Sequence, residues 1–400
     1  MSKPLSILLV HNEYLLAGGE DSVLQAESAL LQARGEQVHF HIVSSKSIDT
    51  KLKAMFVAWN FSYSSASKDE IKGLLATLRP DVVHVHNFVP LITPSVFDAC
   101  QEFGVPVVQT LHNFRHICSA SVLLRAGRIC ERCVTGTHYN AALNRCYRGS
   151  FVQSLVHAHM LEKHRRLRTW SHKVDRFIAV GRFVRDKYVA AGFPPERIAV
   201  KYNFLPDEFA GPPGDPAERW ASPRALYVGR LAREKGVQTM IQAWRGIGIP
   251  LDVIGGGPLL EDLRASAPAN VTIHGARPRA DIFAAMRTAT FQIMPSEWYE
   301  ACPMVVVEGM AHGMPILASR LGAMQELVSD GETGLLFEPG NADDLASKVG
   351  WALSHREDMK SMAIRARDVS GERFNAAQNY RDLRNIYDTV IEERRRYSSI

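Results

Sequence analysis

Short, largely apolar runs recur along this chain, each about a strand's length, with helical stretches between them. In the first half they are Leu5 to Val10, Gln37 to Val43, Val82 to His86, Val107 to Leu111 and Val174 to Val180. Helical patterning fills Asp21 to Ala33, Ile71 to Leu78, Phe97 to Phe103 and Arg182 to Ala191, and Gly35, Gly104 and Gly192 stand where three of these helices stop. Strands that are apolar on both faces must be covered on both faces. That pattern implies a parallel sheet with crossover helices on either side.

The pattern then breaks. Pro206, Gly211, Pro212, Pro213, Gly214, Pro216 and Pro223 crowd into Leu205 to Pro223, and a second series of the same kind begins at Ala225. Its strands are Ala225 to Val228, Leu251 to Ile254, Val271 to His274 and Phe291 to Met294, with helices near Val237 to Trp244, Leu259 to Ala265 and Asp281 to Thr288. At 400 residues the chain exceeds what one hydrophobic core usually serves. The expected layout is α/β: two doubly wound domains over 1–205 and 224–374, a linker over 206–223 and a helix over 375–400. Leu383, Ile386, Tyr387 and Val390 form one stripe on that last helix.

Apolar residues make up 46% and charged residues 22%, as in ordinary globular proteins. A net charge of +5 is too mild to indicate nucleic-acid binding, and none of the usual modules is present. It is compatible with docking on an anionic membrane face. No apolar run approaches the roughly 20 residues of a membrane span. Ser6 to Val10, flanked at once by His11, Asn12 and Glu13, reads as a buried strand rather than a secretory signal. A cytoplasmic protein, or one peripheral on the cytoplasmic membrane face, is expected. Six cysteines are too few for a disulfide-stapled scaffold, so reduced thiols are expected.

Chemistry is densest over residues 294–319. Strand Phe291 to Met294 runs into a polar loop carrying Glu300; a helix from about Pro303 to His312 carries Glu308 and is stopped by Gly313; Pro315 to Ala318 is the next strand. This order places a carboxylate and free backbone N–H groups at the carboxyl end of a parallel sheet, where ligands bind in open α/β folds. The helix start favours an anion such as a diphosphate. Pro303 has no N–H to give, which leaves Met304 and Val305 as donors. Arg230 and Lys235 follow the strand ending at Val228. Gly255, Gly256 and Gly257 follow another strand and permit close backbone approach to a ligand. They do not spell Gly-x-Gly-x-x-Gly, which disfavours a dinucleotide enzyme. In the first half, Ala17, Gly18 and Gly19 open the first helix, where loop and helix start can approach phosphate or sugar; a plain tight turn is the alternative. His84, His86 and His112 lie at strand ends, His84 buried and His86 a candidate to face the cleft.

The block around Glu300 and Glu308, with its Pro-Ser lead-in and its Glu-Gly-Met-Ala-x-Gly-x-Pro-Ile ending, resembles the Glu-x7-Glu motif of retaining glycosyltransferases of family 4. Tyr227 to Val237 is similar to that family's Gly-Arg-Leu-x-x-x-Lys-Gly signature. The resemblance implies a GT-B fold, two Rossmann-like domains facing a central cleft, with the last helix returning to the first, acceptor-side domain. It implies a nucleotide-sugar donor, UDP- or GDP-linked, and a glycan or lipid-linked glycan acceptor in surface-polysaccharide assembly. Transfer would be front-face, with no cofactor or metal required at the catalytic centre. By the same resemblance Arg230 and Lys235 bind the donor diphosphate, Glu308 the ribose hydroxyls, and Glu300 the transferred sugar near its anomeric centre. His112 lies over that sugar, Met304 and Val305 contact sugar and phosphate, and Gly275 falls among nucleobase contacts. Cys302 replaces a commoner glycine.

Cys118, Cys130, Cys133 and Cys146 cluster in an insert over about 114–150, with Cys130 and Cys133 as a Cys-x2-Cys pair. The set is a candidate for a structural Zn²⁺ with four sulfur ligands, with His116 or His138 as substitutes; buried free thiols are the alternative. His157 to Arg176 is basic and contains Trp170, which suits an interfacial helix or a solvated face. Two rival functions are a GT-B sugar-nucleotide epimerase or hydrolase, which would process donor without acceptor, and a non-catalytic sugar-nucleotide-binding protein, which would bind donor without transfer.

Overall fold

The computed structural model describes residues 3–14 and 18–398, and the chain divides into two compact units. One comprises 1–123, 130–202 and 379–400, and the other 124–129 and 203–378.

The first unit holds β1 (Ser6–Glu13), β2 (Gln37–Ser44), β3 (Val82–Asn87) and β4 (Val107–Leu111). A small antiparallel hairpin follows, β5 (Leu124–Arg125) and β6 (Arg128–Ile129), assigned to the other unit. β7 (Arg176–Ala179) and β8 (Ile198–Val200) then complete a sheet in the order β2-β1-β3-β4-β7-β8. Every pairing in that sheet is parallel. β3 and β4 are buried from end to end, as strands covered on both faces must be. The last helix, Ala376–Ser398, supplies part of that cover. Its Leu383, Tyr387, Val390 and Ile391 join Leu5, Ile7, Leu9, Leu24, Leu31 and Val108 in one core cluster. Each such side chain, taken out of water, contributes about 1.5–3 kcal/mol.

The second unit holds β9 (Ala225–Val228), β10 (Leu251–Ile254), β11 (Val271–Gly275), β12 (Phe291–Met294), β13 (Ile316–Ser319) and β14 (Gly334–Phe337). Their order is β11-β10-β9-β12-β13-β14, all parallel. The chain therefore reverses its direction of travel between β9 and β12. That is the switch point of a doubly wound sheet, where the loops leaving neighbouring strands part and open a crevice.

The Pro- and Gly-rich stretch 206–223 is not a free spacer. It carries a helix, Pro216–Ala221, whose Trp220 enters the second core. Arg219 is buried beside it and donates to the carbonyls of Met286 at 2.9 Å, Arg287 at 3.0 Å and His312 at 2.8 Å, and to that of Gly313. These are carbonyls at helix ends, short of intrahelical partners, and a guanidinium satisfies several at once. Gly214 passes so close that a Cβ would stand 1.8 Å from the Arg287 carbonyl oxygen. Gly214 is thus required by packing.

Candidate active site

The loops leaving β9 and β12 carry the residues expected to hold a donor. A short 3-10 turn, Arg233–Lys235, ends in Gly236 at φ +65 and starts the helix Val237–Trp244. At Gly236 a Cβ would lie 1.8 Å from the Pro295 carbonyl oxygen, so only glycine lets these two loops meet. Glu297 N–H donates to the Glu234 carbonyl at 2.9 Å, and Thr239 Oγ1 donates to Glu297 Oε1 at 2.5 Å. The loops are thus pinned together.

The consequence is a compact polar cluster. Lys235 Nζ donates to Glu300 Oε1 at 2.6 Å, and the same oxygen accepts from Ser296 Oγ and Trp298 Nε1, each at 2.7 Å. The Lys235 ammonium also lies 5.0 Å from the Trp298 ring centroid. A carboxylate oxygen held by a cation and two further donors is fixed in direction. Arg230 lies exposed at the same edge, its carbonyl held by the Tyr227 hydroxyl at 2.9 Å, and no ion pair of its side chain occurs among the described residues.

The helix Met304–Ala311 begins after Pro303 with no side chain capping it. Met304 and Val305 are half-buried, and at a helix start their N–H groups have no acceptor within the helix. Glu308 on this helix is buried and pairs with Arg279. Burial raises its pKa and the guanidinium works against that rise. Arg279 in turn lies 3.8 Å over the Phe209 ring. The adjacent Gly309 brings the helix against the sheet, since a Cβ there would sit 2.2 Å from the Gln292 side-chain oxygen. Arg279, Gly236, Ser296 and Trp298 all belong to this site, and the sequence reading did not single them out.

Gly255, expected to permit close ligand approach, and Gly275, expected among nucleobase contacts, also join neighbouring loops. A Cβ on Gly255 would lie 1.8 Å from the Gly229 carbonyl oxygen, and its N–H donates to the Gly275 carbonyl at 2.8 Å. Gly229 N–H reaches the Ile254 carbonyl at 3.0 Å and Leu231 N–H the Gly256 carbonyl at 2.9 Å. These glycines zip the loops after β9, β10 and β11 to one another.

In the first unit, Ala17 lies outside the described residues. Gly18 N–H is taken by Asp21 Oδ2 at 2.6 Å, which caps the helix Gly19–Ala33 from within; a Cβ added at Gly19 would meet nothing within 4 Å. His112 follows β4 and is half-buried. Its Nε2 is 3.0 Å from Nδ1 of His86, and the two rings stack at 5.2 Å. His86 does not open outward as considered: it is buried, with Nε2 3.7 Å from Glu27 Oε2. Glu27 is paired to the buried Lys201. His84 is locked by Tyr387 and Thr110 hydroxyls, each at 2.7 Å. Burial and neighbouring positive groups hold the pKa of His84, His86 and His112 well below the usual imidazole range.

The four insert cysteines are free thiols. Burial, then the proximity of Cys118, Cys146 and Cys130, pushes the Cys133 thiol up to about 12. Among the described residues, three potential metal-ligand atoms within 4.8 Å of one another occur at Glu27, His84 and His86, and the cysteines form no such group. The four thiols stand close enough for the other three to act on Cys133, and the Glu27 group already holds the Lys201 ammonium.

Against this geometry, two family models match the chain: Glycosyltransferase Family 4 over residues 17–209 and Glycosyl transferases group 1 over 216–369. The chain is 28% identical over 222 residues to a glycosyltransferase of Methanocaldococcus jannaschii, covering 54% of this chain and 60% of that protein. It is 26% identical over 250 residues to the amylovoran biosynthesis glycosyltransferase AmsK of Erwinia amylovora, covering 58% and 61%. The matched regions thus span about three fifths of these relatives' length. In fold it is similar to HepE of Anabaena, crystallised with UDP and glucose, with a TM-score of 0.68 at 15% identity over 96% of this chain and 100% of that one. The two parallel α/β units have the GT-B architecture, and the chain belongs to the family 4 glycosyltransferases.

Proposed function

We propose that this chain is a retaining glycosyltransferase that moves a sugar from a nucleotide-sugar donor to a glycan or lipid-linked glycan during surface-polysaccharide assembly. The observation that carries the reading is the pairing of Lys235 with Glu300 at the switch point of the second sheet, beside the exposed Arg230. A donor diphosphate arriving there would draw Lys235 and Arg230 to its oxygens and leave Glu300 facing the sugar. As the glycosidic bond breaks, charge builds on the diphosphate, and pre-placed cations lower the barrier most at that moment. The helix start at Met304 and Val305 adds N–H dipoles of the same sign. Glu308 would exchange its Arg279 partner for vicinal ribose hydroxyls, which a carboxylate accepts well.

Retention follows if the acceptor hydroxyl attacks from the leaving group's side and the departing phosphate oxygen takes its proton. No side-chain base is then needed. UDP is the favoured carrier, because HepE, of like fold, was crystallised with UDP and glucose. AmsK's part in amylovoran biosynthesis favours a polysaccharide acceptor.

The test is a thermal-shift panel with UDP, GDP, ADP and dTDP. A ligand at about 100 times its Kd adds about 2.7 kcal/mol to stability, enough for a shift of several degrees. One diphosphate, UDP first, is expected to raise Tm, and Arg230→Ala with Lys235→Ala to abolish the rise. No shift with any of the four would overturn the reading.

A further inference from the structure

The helix Lys51–Asn60 in the first unit is amphipathic the wrong way round. It buries none of its residues. Leu52, Met55, Phe56 and Trp59 are 78%, 69%, 65% and 89% exposed. They fall at i, i+3, i+4 and i+7, one stripe of an α-helix. At about 100° per residue, Val57 and Asn60, its less exposed residues, lie well round the helix from that stripe. The helix meets the rest of the unit through Val57 and Asn60 and presents its large apolar side chains to solvent. Aromatic and aliphatic side chains this exposed and this ordered mark an interaction surface.

The charge around the stripe selects the partner. Lys51 and Lys53 project about 90–110° to either side of the stripe, and Lys46 lies exposed just before the helix. The helix has no acidic residue; the nearby Asp49 is held by Lys53 at 2.9 Å. Apolar side chains at the centre, a tryptophan near one end and a lysine on either side at the other end match the interfacial layering of a lipid leaflet. The apolar groups enter the acyl boundary, the indole sits at headgroup level, and the long ammonium side chains reach anionic headgroups. A protein partner would more often offer a groove whose rim charges pair with specific counter-ions, and Lys51 makes no ion pair among the described residues.

We propose that the helix Lys51–Asn60 docks this protein on an anionic membrane surface. The basic stretch His157 to Arg176, the sequence-level candidate, does not serve, because Trp170, His157, Met160, Leu161 and His164 are buried within the unit. This proposal is independent of the sugar-transfer reading, since it concerns neither the donor loops nor any residue assigned to them.

The test is sedimentation of the full chain with phosphatidylglycerol/phosphatidylcholine vesicles and with phosphatidylcholine alone. Binding is expected to the anionic vesicles, to weaken at high salt, and to fall at least about tenfold in Phe56→Ser/Trp59→Ser. These side chains touch little of the protein, so Tm should be unchanged. Lys51→Glu/Lys53→Glu, which leaves the stripe intact, should weaken binding as well. Failure of the wild type to bind anionic vesicles, or binding by both variants as tight as the wild type's, overturns the proposal. So does a dimer in solution that the serine variant splits, which would assign the stripe to a second copy of the chain.

Discussion

Lys235 Nζ and Glu300 Oε1 stand 2.6 Å apart on loops that leave different strands of the second sheet, β9 and β12. Ser296 and Trp298 already satisfy the carboxylate, so the ammonium is the partner that can be drawn away. Glu300→Gln keeps the shape and removes the charge; Lys235→Ala removes the cation. Each is expected to lower turnover at least about tenfold, about 1.4 kcal/mol in barrier, with the fold retained. Steady-state rates with the matching nucleotide-sugar measure this, and near-normal rates in both variants would count against the assigned roles.

Gly236 is the hinge on which that pair depends. Its φ of +65 disfavours any other residue, and a Cβ would press on the Pro295 backbone, which cannot yield as a flexible side-chain end would. Gly236→Ala should separate the two loops, lower Tm by several degrees and weaken the nucleotide-induced shift. Gly248→Ala, where a Cβ meets nothing within 4 Å, serves as the control and should leave both unchanged.

The second sheet was legible because its strands are apolar runs bounded by glycine, proline or charge: Ala225–Val228, Leu251–Ile254 and Phe291–Met294 stand where the sequence placed them. The motif also located Glu300 and Glu308. It did not disclose their partners, since Arg279 reaches Glu308 only through tertiary approach of two helices. The outward stripe of Lys51–Asn60 escaped for a similar reason: periodicity reports a face, and not which way the face looks. His86 was ambiguous because alternation in a strand covered on both sides does not say which neighbour a side chain meets. At 206–223 composition marked a stretch between the two series of strands, and did not disclose the close packing that its glycines permit and Arg219 secures.

Lys201 and Glu27 form a buried ion pair in the first unit, with Asn379 Oδ1 at 3.4 Å from the ammonium. Replacing one partner leaves the other charged and buried, which costs about 3–5 kcal/mol. Lys201→Met should therefore lower Tm by roughly 10 °C in a unit of this size. Adding Glu27→Gln should restore a good part of that loss, because the orphaned charge is gone. Calorimetry of the two variants decides the matter: equal destabilisation of single and double variants would mean that packing, not charge, sets the cost.

Acid should unfold the first unit earlier than its carboxylates alone would dictate. His84, His86 and His116 are buried and held well below the usual imidazole range, while burial takes His157 to about 3 and His164 to about 4. The folded protein keeps these rings neutral, whereas the unfolded chain protonates them below about pH 6.5. Between those limits the unfolded state binds more protons, so stability falls as pH falls, and above pH 6.5 these groups contribute no slope. At pH 5 a single such histidine costs about 2 kcal/mol, and several in one unit are enough to approach its total stability. Tm is expected to be flat from pH 8 to 7 and to drop steeply from pH 6.5 to 5. His157→Gln should shift that drop to lower pH, because one proton fewer is gained on unfolding. A thermal-melt series across this range measures both, and a Tm unchanged at pH 5 would mean that these rings are already protonated, or solvated, in the folded chain.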